Sequence, residues 1–294
     1  MKHVLIAGGS GLIGKKLTLR LLEKGYDVSI LSRTPNGPDQ YYWNPQNKQI
    51  DCPILDQVDV LINLSGAGIA DKKWSNERKL ELQNSRVGTN VFLFSLVEQM
   101  PNLKQFICSS GINAYGFIEN KECTEEDPFG NDFLSQLVRV WELSAEQFSA
   151  NCKVAKIRTA MVLSSTGGAL SRLLPIVKMG IGSAIGNGKQ ASPWIHIDDL
   201  VEMFVFAIEN DLDGSYNALA GNESNKELMK TIASVLNKPF WFPNVPAFML
   251  RWMFGEMSLI LLKGVRASNA KIVQKGFVFK FTNLKDALTN LLKK

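Results

Sequence analysis

The stretch Val4-Leu5-Ile6-Ala7-Gly8-Gly9-Ser10-Gly11-Leu12-Ile13-Gly14 limits the fold more than any other part of the chain. Its four leading apolar residues predict a fully buried strand. A glycine cluster follows, and then a periodic run through Leu17, Leu19, Leu21 and Leu22 that ends at Gly25. This is the order strand, tight turn, helix, with Gly25 as the helix C-cap. Gly8, Gly11 and Gly14 are spaced G-x-x-G-x-x-G. Gly8 lets the chain turn sharply. Gly11 removes a side chain where a pyrophosphate approaches the backbone. Gly14 lets the helix pack closely on the strand. The N–H groups at the helix start, together with the helix dipole, then favour phosphate. Gly8, Gly9, Ser10, Gly11, Leu12, Ile13 and Gly14 are therefore candidate cofactor-binding residues. The alternative is a plain strand–turn–helix corner with no ligand.

A second strand is expected over Asp27-Val28-Ser29-Ile30-Leu31, and the residues at its end decide between cofactors. A carboxylate there, about 20 residues past the glycines, would accept from a ribose 2′-OH and select NAD. The chain instead reads Ser32-Arg33. A hydroxyl and a guanidinium suit a 2′-phosphate, which a carboxylate would repel. NADP(H) is the expected cofactor, with Ser32 and Arg33 at its 2′-phosphate.

Composition narrows the function classes. At 294 residues, with 45% apolar and 21% charged residues, the chain is an ordinary globular protein of one large or two smaller domains. The net charge of +5 is spread along the chain rather than clustered on one face, so no nucleic-acid partner is expected. Four cysteines lack a C-x-x-C pairing, and only two histidines are present, so neither a zinc site nor any other metal is expected. Free thiols and the absence of a secretory pattern point to the cytoplasm. The apolar stretch from Val245 to Leu262 carries Arg251 and Glu256, which predicts a packed helix rather than a bilayer span, and no membrane partner.

Residues 34–57 read as a polar loop with one minor strand at Tyr41-Tyr42-Trp43. A buried strand at Asp59–Leu64 then runs into Ser65-Gly66-Ala67-Gly68, whose small side chains let adenine and ribose lie against the backbone at Leu64, Ser65 and Gly66. A helix capped by Ser75 is expected to reach about Met100. It carries Glu81 and Arg86, candidates for a ribose or phosphate contact, with Arg86 otherwise an exposed charge. Leu103–Ser109 is a further strand, opening into Ser109-Ser110-Gly111-Ile112-Asn113-Ala114-Tyr115-Gly116. A helix over Asp132–Ala150 and a strand over Lys153–Ile157 follow. This alternation predicts an α/β fold, a doubly wound parallel sheet with ligands at the carboxyl ends of its strands. Beyond residue 165, Gly167-Gly168 and the glycine-rich run at 180–188 are expected to be loops near a pocket. Asp198 is the expected N-cap of the helix after His196. Helices are expected over about 225–237, 246–262, 268–275 and 284–293, with Gly276-Phe277-Val278-Phe279 as an extended anchor.

These motifs resemble the extended or atypical short-chain dehydrogenases/reductases. Within them the chain resembles the NAD-dependent epimerase-like (YfcH-type) proteins that end in a helical domain of unknown function. The resemblance rests on the glycine loop, Asn63-Leu64-Ser65-Gly66, Ser109 to Gly116 and Ile195-His196-Ile197-Asp198-Asp199. Narrower signals are Ile69 to Trp74, Asn84-Ser85-Arg86, Trp141-Glu142 and Pro193-Trp194-Ile195-His196. It implies a Rossmann-like domain over residues 1–220, with substrate-side loops from about 165, and a smaller helical, substrate-side domain over 221–294. It adds Ser109 to the cofactor contacts.

The departure from the family concerns chemistry. Active members carry Tyr-x-x-x-Lys, in which lysine lowers the phenol pKa and tyrosine moves the proton. None of the five tyrosines here has a lysine four residues on. Where the pattern wants the pair, the chain reads Phe133-Leu134-Ser135-Gln136-Leu137-Val138. Ser110 and Tyr115 are the candidate catalytic groups that remain, each otherwise a hydroxyl occupied by its neighbours. His196 titrates near neutrality unless it is structural. The expected function is an NADP(H)-binding, epimerase-like oxidoreductase acting on a small molecule. The alternative is a non-catalytic NADP(H)-binding sensor or interaction module. A homodimer through helices flanking the sheet is compatible with the sequence.

Overall fold

The structure is a computed structural model that describes residues 2–118 and 120–293. The chain runs β1 (His3–Ala7), α1 (Leu12–Glu23), β2 (Asp27–Ser32), β3 (Gln40–Asn44), β4 (Gln49–Asp51), β5 (Val60–Asn63), α2 (Asn76–Gln83) and α3 (Thr89–Phe94). It continues through β6 (Gln105–Gly111), β7 (Glu122–Cys123), α4 (Phe133–Glu146), β8 (Lys153–Thr159), β9 (Met161–Leu163), α5 (Gly168–Lys178), β10 (Trp194–His196), α6 (Ile197–Glu209) and β11 (Gly214–Ala218). The remainder is α7 (Asn225–Val235), α8 (Ala247–Phe254), α9 (Leu259–Leu262), β12 (Arg266–Ala267), α10 (Ala270–Gln274) and α11 (Leu284–Leu292).

The main sheet has the spatial order β11-β8-β6-β5-β1-β2-β3-β4, parallel throughout except for β4 at one edge. Both neighbours of β1 align in register, Ile6 lying opposite Ile30 and Ile62. Connections leave β1 towards β2 and return to β5 on its other side, so the switch point falls beside the β1–α1 turn. Alternate strand residues serve opposite faces. Val4, Ile6, Ile62 and Ile107 pack with Leu17 and Leu21 of α1 and Leu200, Phe204 and Ile208 of α6. Leu5, Leu61, Phe106 and Cys108 pack with Phe92 and Leu93 of α3 and Trp141 and Ala145 of α4. A sheet covered on both faces needs apolar residues at both parities, which is why these strands read as unbroken apolar runs.

A third core joins Leu163, Leu170 and Trp194 to Leu228 and Ile232 of α7 and Leu284 and Leu288 of α11. The C-terminal helical part of the molecule thus packs on residues 161–195 as well as on itself. Asp199 ties the two together, its carboxylate accepting from the N–H of Lys280 at 2.8 Å and of Phe281 at 3.0 Å. Phe277 and Phe279 enter the first core beside it. The 276–279 segment is the extended anchor expected, without a strand partner.

Several local expectations change. The 34–57 segment holds two strands, because Lys48 takes a left-handed φ of 52° and closes a hairpin between β3 and β4. The long helix from Ser75 is broken by a π-turn at Asn84–Gly88 and by Ser95. Gly167-Gly168 opens helix α5 rather than a loop. The N-cap of α6 is His196, whose Nδ1 accepts from the N–H of Asp198 at 3.0 Å, and not Asp198 itself. The 246–262 helix breaks at Gly255, where φ is 58°. Among the described residues no helix is long and apolar enough to cross a membrane.

Candidate functional site

The glycine loop has the stereochemistry its spacing implies. Gly8 sits at φ 84°, outside the range most side chains tolerate. A Cβ on Gly14 would lie 2.4 Å from the Gly8 carbonyl oxygen, so helix and turn touch backbone to backbone. Gly9 abuts Ile30, where a Cβ would come within 2.7 Å. Ser10 and Gly11 are exposed. Gly11 is the N-cap of α1 and supplies no side-chain cap, and the first turn holds no acid. By contrast, Ser75, Asp132, Ser224 and Asn283 cap α2, α4, α7 and α11. The N-terminus of α1 is therefore an open set of N–H donors at the positive end of a dipole. Leu12 lies against Gly167 and Gly168, and Ile13 packs on the first core.

At the end of β2, the Ser32 hydroxyl accepts from the N–H of Thr34 at 3.2 Å, and Arg33 projects into solvent. The segment after β5 lies directly beside the glycine loop, since a Cβ on Gly8 would come within 3.0 Å of Leu64 and Ser65 backbone. Asn63 pins this segment from within. Its amide donates to Asn90 at 2.7 Å and Thr89 at 3.1 Å, and its carbonyl accepts from the N–H of Ser65 at 2.9 Å. The Ser65 hydroxyl is buried and finds no partner among the described residues.

Two arginines hold the next residues. Arg86 donates to the carbonyls of Ala67 at 2.9 Å and Leu82 at 3.1 Å, and it stacks 5.1 Å from the Trp141 ring. It is buried, not an exposed helix charge. The π-turn around it widens the helix and turns it inward. Burial, and then the nearby Arg78, push its pKa down to about 10. Its Nε has no hydrogen-bond partner among the described residues. Arg78 is also buried and donates to the Gly68 carbonyl at 2.5 Å. Glu81 pairs with Arg78 at 2.6 Å on the outer side of α2, so it stands one residue removed from the loop.

The two candidate catalytic groups meet in one buried network. Ser110 donates to Glu142 at 2.6 Å. Arg158 clasps the same carboxylate through Nε and Nη2, both at 2.8 Å. Arg158 also donates to the Tyr115 hydroxyl at 2.9 Å, and that hydroxyl donates to Asn217 at 2.7 Å. Tyr115 is 1% exposed. Burial pushes its phenol up to about 12, against the pull of Arg158. Both hydroxyls are thus occupied by neighbours. Ser109, one residue earlier on β6, stays half-buried on the opposite face. His196 is fully buried and stacked on Phe281, and burial drives its pKa down to about 4. It stays neutral in its role as helix cap.

Glu142, Arg158, Asn217, Arg78 and Asn63 were not singled out from sequence as site residues. A glutamate on the apolar face of a helix and an arginine inside a strand of the same unit were the available signals. Their pairing needed the fold. Early in α4, Phe133, Leu134 and Leu137 join Leu82, Ala67, Ile69, Trp74 and Ile260 in an apolar cluster.

The likenesses to known proteins agree with this architecture. Residues 4–218 match the NAD dependent epimerase/dehydratase family, and residues 245–291 match a domain of unknown function, DUF1731. The mouse epimerase family protein SDR39U1 is 32% identical, over 99% of this chain and 99% of its own. Epimerase family protein YfhF of Bacillus subtilis is 32% identical, over 99% and 98%. Among solved structures, human SDR39U1 with NADPH superposes with a TM-score of 0.92 at 29% identity, covering 99% of each chain. A nucleoside-diphosphate sugar epimerase from Corynebacterium glutamicum gives 0.80 at 29% identity, covering 99% of this chain and 58% of that one. Glycine loop, switch point, sheet order and C-terminal helices together place this chain in the NAD-dependent epimerase/dehydratase family.

Proposed function

We propose that the chain is an NADPH-binding, epimerase-like oxidoreductase of the reducing cytoplasm, acting on a small molecule at the carboxyl edge of its sheet. The single observation that carries the reading is the uncapped α1 N-terminus, with Arg33, and no carboxylate, following β2. The residues fit the group. Gly8 to Gly14 leave donors and space for the diphosphate. Exposed Arg33 would hold the 2′-phosphate, beside the Ser32 hydroxyl at the end of β2. Leu64, Ser65 and Gly66 would lie against adenine and ribose, where the Ser65 hydroxyl, without a partner among the described residues, would supply a donor. Arg86 holds the loop and adds positive potential, Glu81 acts by positioning Arg78, and Ser109 completes the wall. The human SDR39U1 structure with NADPH supports the cofactor. Bound NADPH supplies a hydride. The chain's own part is to orient it, and the Ser110–Glu142–Arg158–Tyr115 network holds the strand ends rigid behind it.

The test is a titration with NADPH and with NADH, read by energy transfer from tryptophan. NADPH is expected to bind at least about tenfold tighter, about 1.4 kcal/mol, and Arg33→Ala to erase the difference. Equal binding would remove the 2′-phosphate assignment, and no binding would remove the cofactor reading. A second reading, a sensor that binds NADPH without turnover, is favoured by one observation. Tyr115 and Ser110 are both locked in hydrogen bonds. An NADPH-dependent protein partner, together with no turnover of any carbonyl or quinone, would favour it.

A further inference from the structure

The half-buried cluster beside the proposed cofactor site is apolar, and the Lys79–Glu256 ion pair stands over it. Ala67 and Ile69 extend the loop that touches the glycine turn, and they meet Trp74, Phe133 and Ile260 over a buried floor that includes Leu137. Trp74 is fixed by its indole N–H, which donates to the Ile69 carbonyl at 2.9 Å, and it meets Phe133 edge to face with centroids 5.1 Å apart. The Lys79 ammonium stands 4.8 Å from the Phe133 centroid and is held by Glu256 at 2.5 Å. Ile260 and Glu256 come from the C-terminal segment, so this wall is assembled only when that segment docks. The hydroxyls that the fold brings to the neighbouring strand ends, Ser110 and Tyr115, are buried and engaged.

This arrangement selects among acceptors. A ketone or aldehyde that receives hydride becomes an alkoxide, a strong base that needs a proton donor in the same step. A quinone that receives hydride becomes a hydroquinone monoanion, in which the ring spreads the charge and the second proton is taken later from water. A flat aromatic ring suits the Trp74–Phe133 wall, and a delocalised anion suits the Lys79 ammonium. We propose that the acceptor is a quinone, bound against Trp74 and Phe133, with Lys79 stabilising the anionic product. In the balanced reaction, the quinone gains two electrons and one hydrogen as hydride from reduced nicotinamide, leaving NADP⁺. The monoanion then takes one proton from water to give the hydroquinone. This inference rests on the NADPH reading above.

The experiment separates the two. With NADPH binding established by titration, menadione and cyclohexanone are offered to the full-length protein, and NADPH loss is followed with hydroquinone formation. Menadione is expected to be reduced at least about tenfold faster than cyclohexanone, with one hydroquinone per NADPH and a rate nearly independent of pH around neutrality. Independently of turnover, menadione is expected to quench tryptophan fluorescence, and Trp74→Leu to remove most of that quenching. Lys79→Met, in protein whose thermal melting and resistance to proteolysis within 245–262 match the parent, is expected to lower kcat/KM for menadione about tenfold. NADPH binding with no menadione reduction, or faster reduction of cyclohexanone, overturns the quinone proposal alone. Absence of NADPH binding overturns both readings. Quenching unchanged in a folded Trp74→Leu protein also overturns the placement.

Discussion

Arg158 of β8 and Glu142 of α4 form a two-pronged ion pair, both hydrogen bonds 2.8 Å long and both side chains about 95% buried. The carboxylate also accepts from Ser110 and from Ser215, so its oxygens are fully used. Removing one partner leaves a buried charge without compensation. Glu142→Ala is expected to lower unfolding free energy by about 3–5 kcal/mol, measured by urea denaturation. A loss below about 1 kcal/mol would mean that water reaches the pair.

Gly14 is the least replaceable glycine of the loop. A Cβ there meets Gly8 and Gly9 backbone, which cannot swing aside as a side chain can. Gly14→Ala is expected to abolish nucleotide binding and to destabilise the fold by at least about 1–3 kcal/mol. The matched control is Gly88→Ala, a helical position where a Cβ meets nothing within 4 Å, and it is expected to leave binding unchanged. Titration and thermal melting of the two variants check the contrast.

His196 makes stability depend on pH in a stated direction. Its pKa is pushed down to about 4 in the fold, below the ordinary value of 6.5. Between these values the unfolded chain binds the proton more readily, so stability falls as pH drops through that window and is fully present above it. From about pH 7.5 to about pH 5.5 this group is expected to cost roughly 1 kcal/mol. His196→Asn keeps a cap acceptor and is expected to flatten that part of the curve. An unchanged slope in urea melts across the window would show that His196 is not the source.

Asp199 fastens the C-terminal extension. Its carboxylate serves two backbone N–H groups, of Lys280 and Phe281, at the start of the approach to α11. Asp199→Ala orphans both donors, at about 1–3 kcal/mol each when buried. The expected result is faster proteolysis within 277–292 and faster amide exchange in α11, while β1 to β6 keep their protection. Uniform loss of protection would instead show that the extension and the sheet unfold as one unit.

Much of this protein is decided locally and is therefore legible in the sequence. Gly8 needs a positive φ, Gly14 needs the absence of a Cβ, and both demands are set by residues within a few positions. The unbroken apolar strands report a sheet covered on both faces, and Arg33 follows β2 wherever the chain goes. These were enough for the fold class and for the geometry of the glycine turn. The hairpin at β3–β4, the π-turn that buries Arg86 and the cap at His196 depend on finer local geometry that residue type alone does not specify. The network behind the strand ends was beyond reach for a different reason. Tyr115 bonds Asn217 from 102 positions away, and Ser110 bonds Glu142 from 32 away. Only the crossovers of the sheet bring such groups together, and only burial turns their encounter into obligatory hydrogen bonds. The same holds for Lys79 and Glu256, 177 positions apart. Sequence determined the glycine turn and the strand ends that flank it, because these depend on backbone a few residues long. Tertiary structure decided which side chains are free to act beside it, because that depends on who else is buried there.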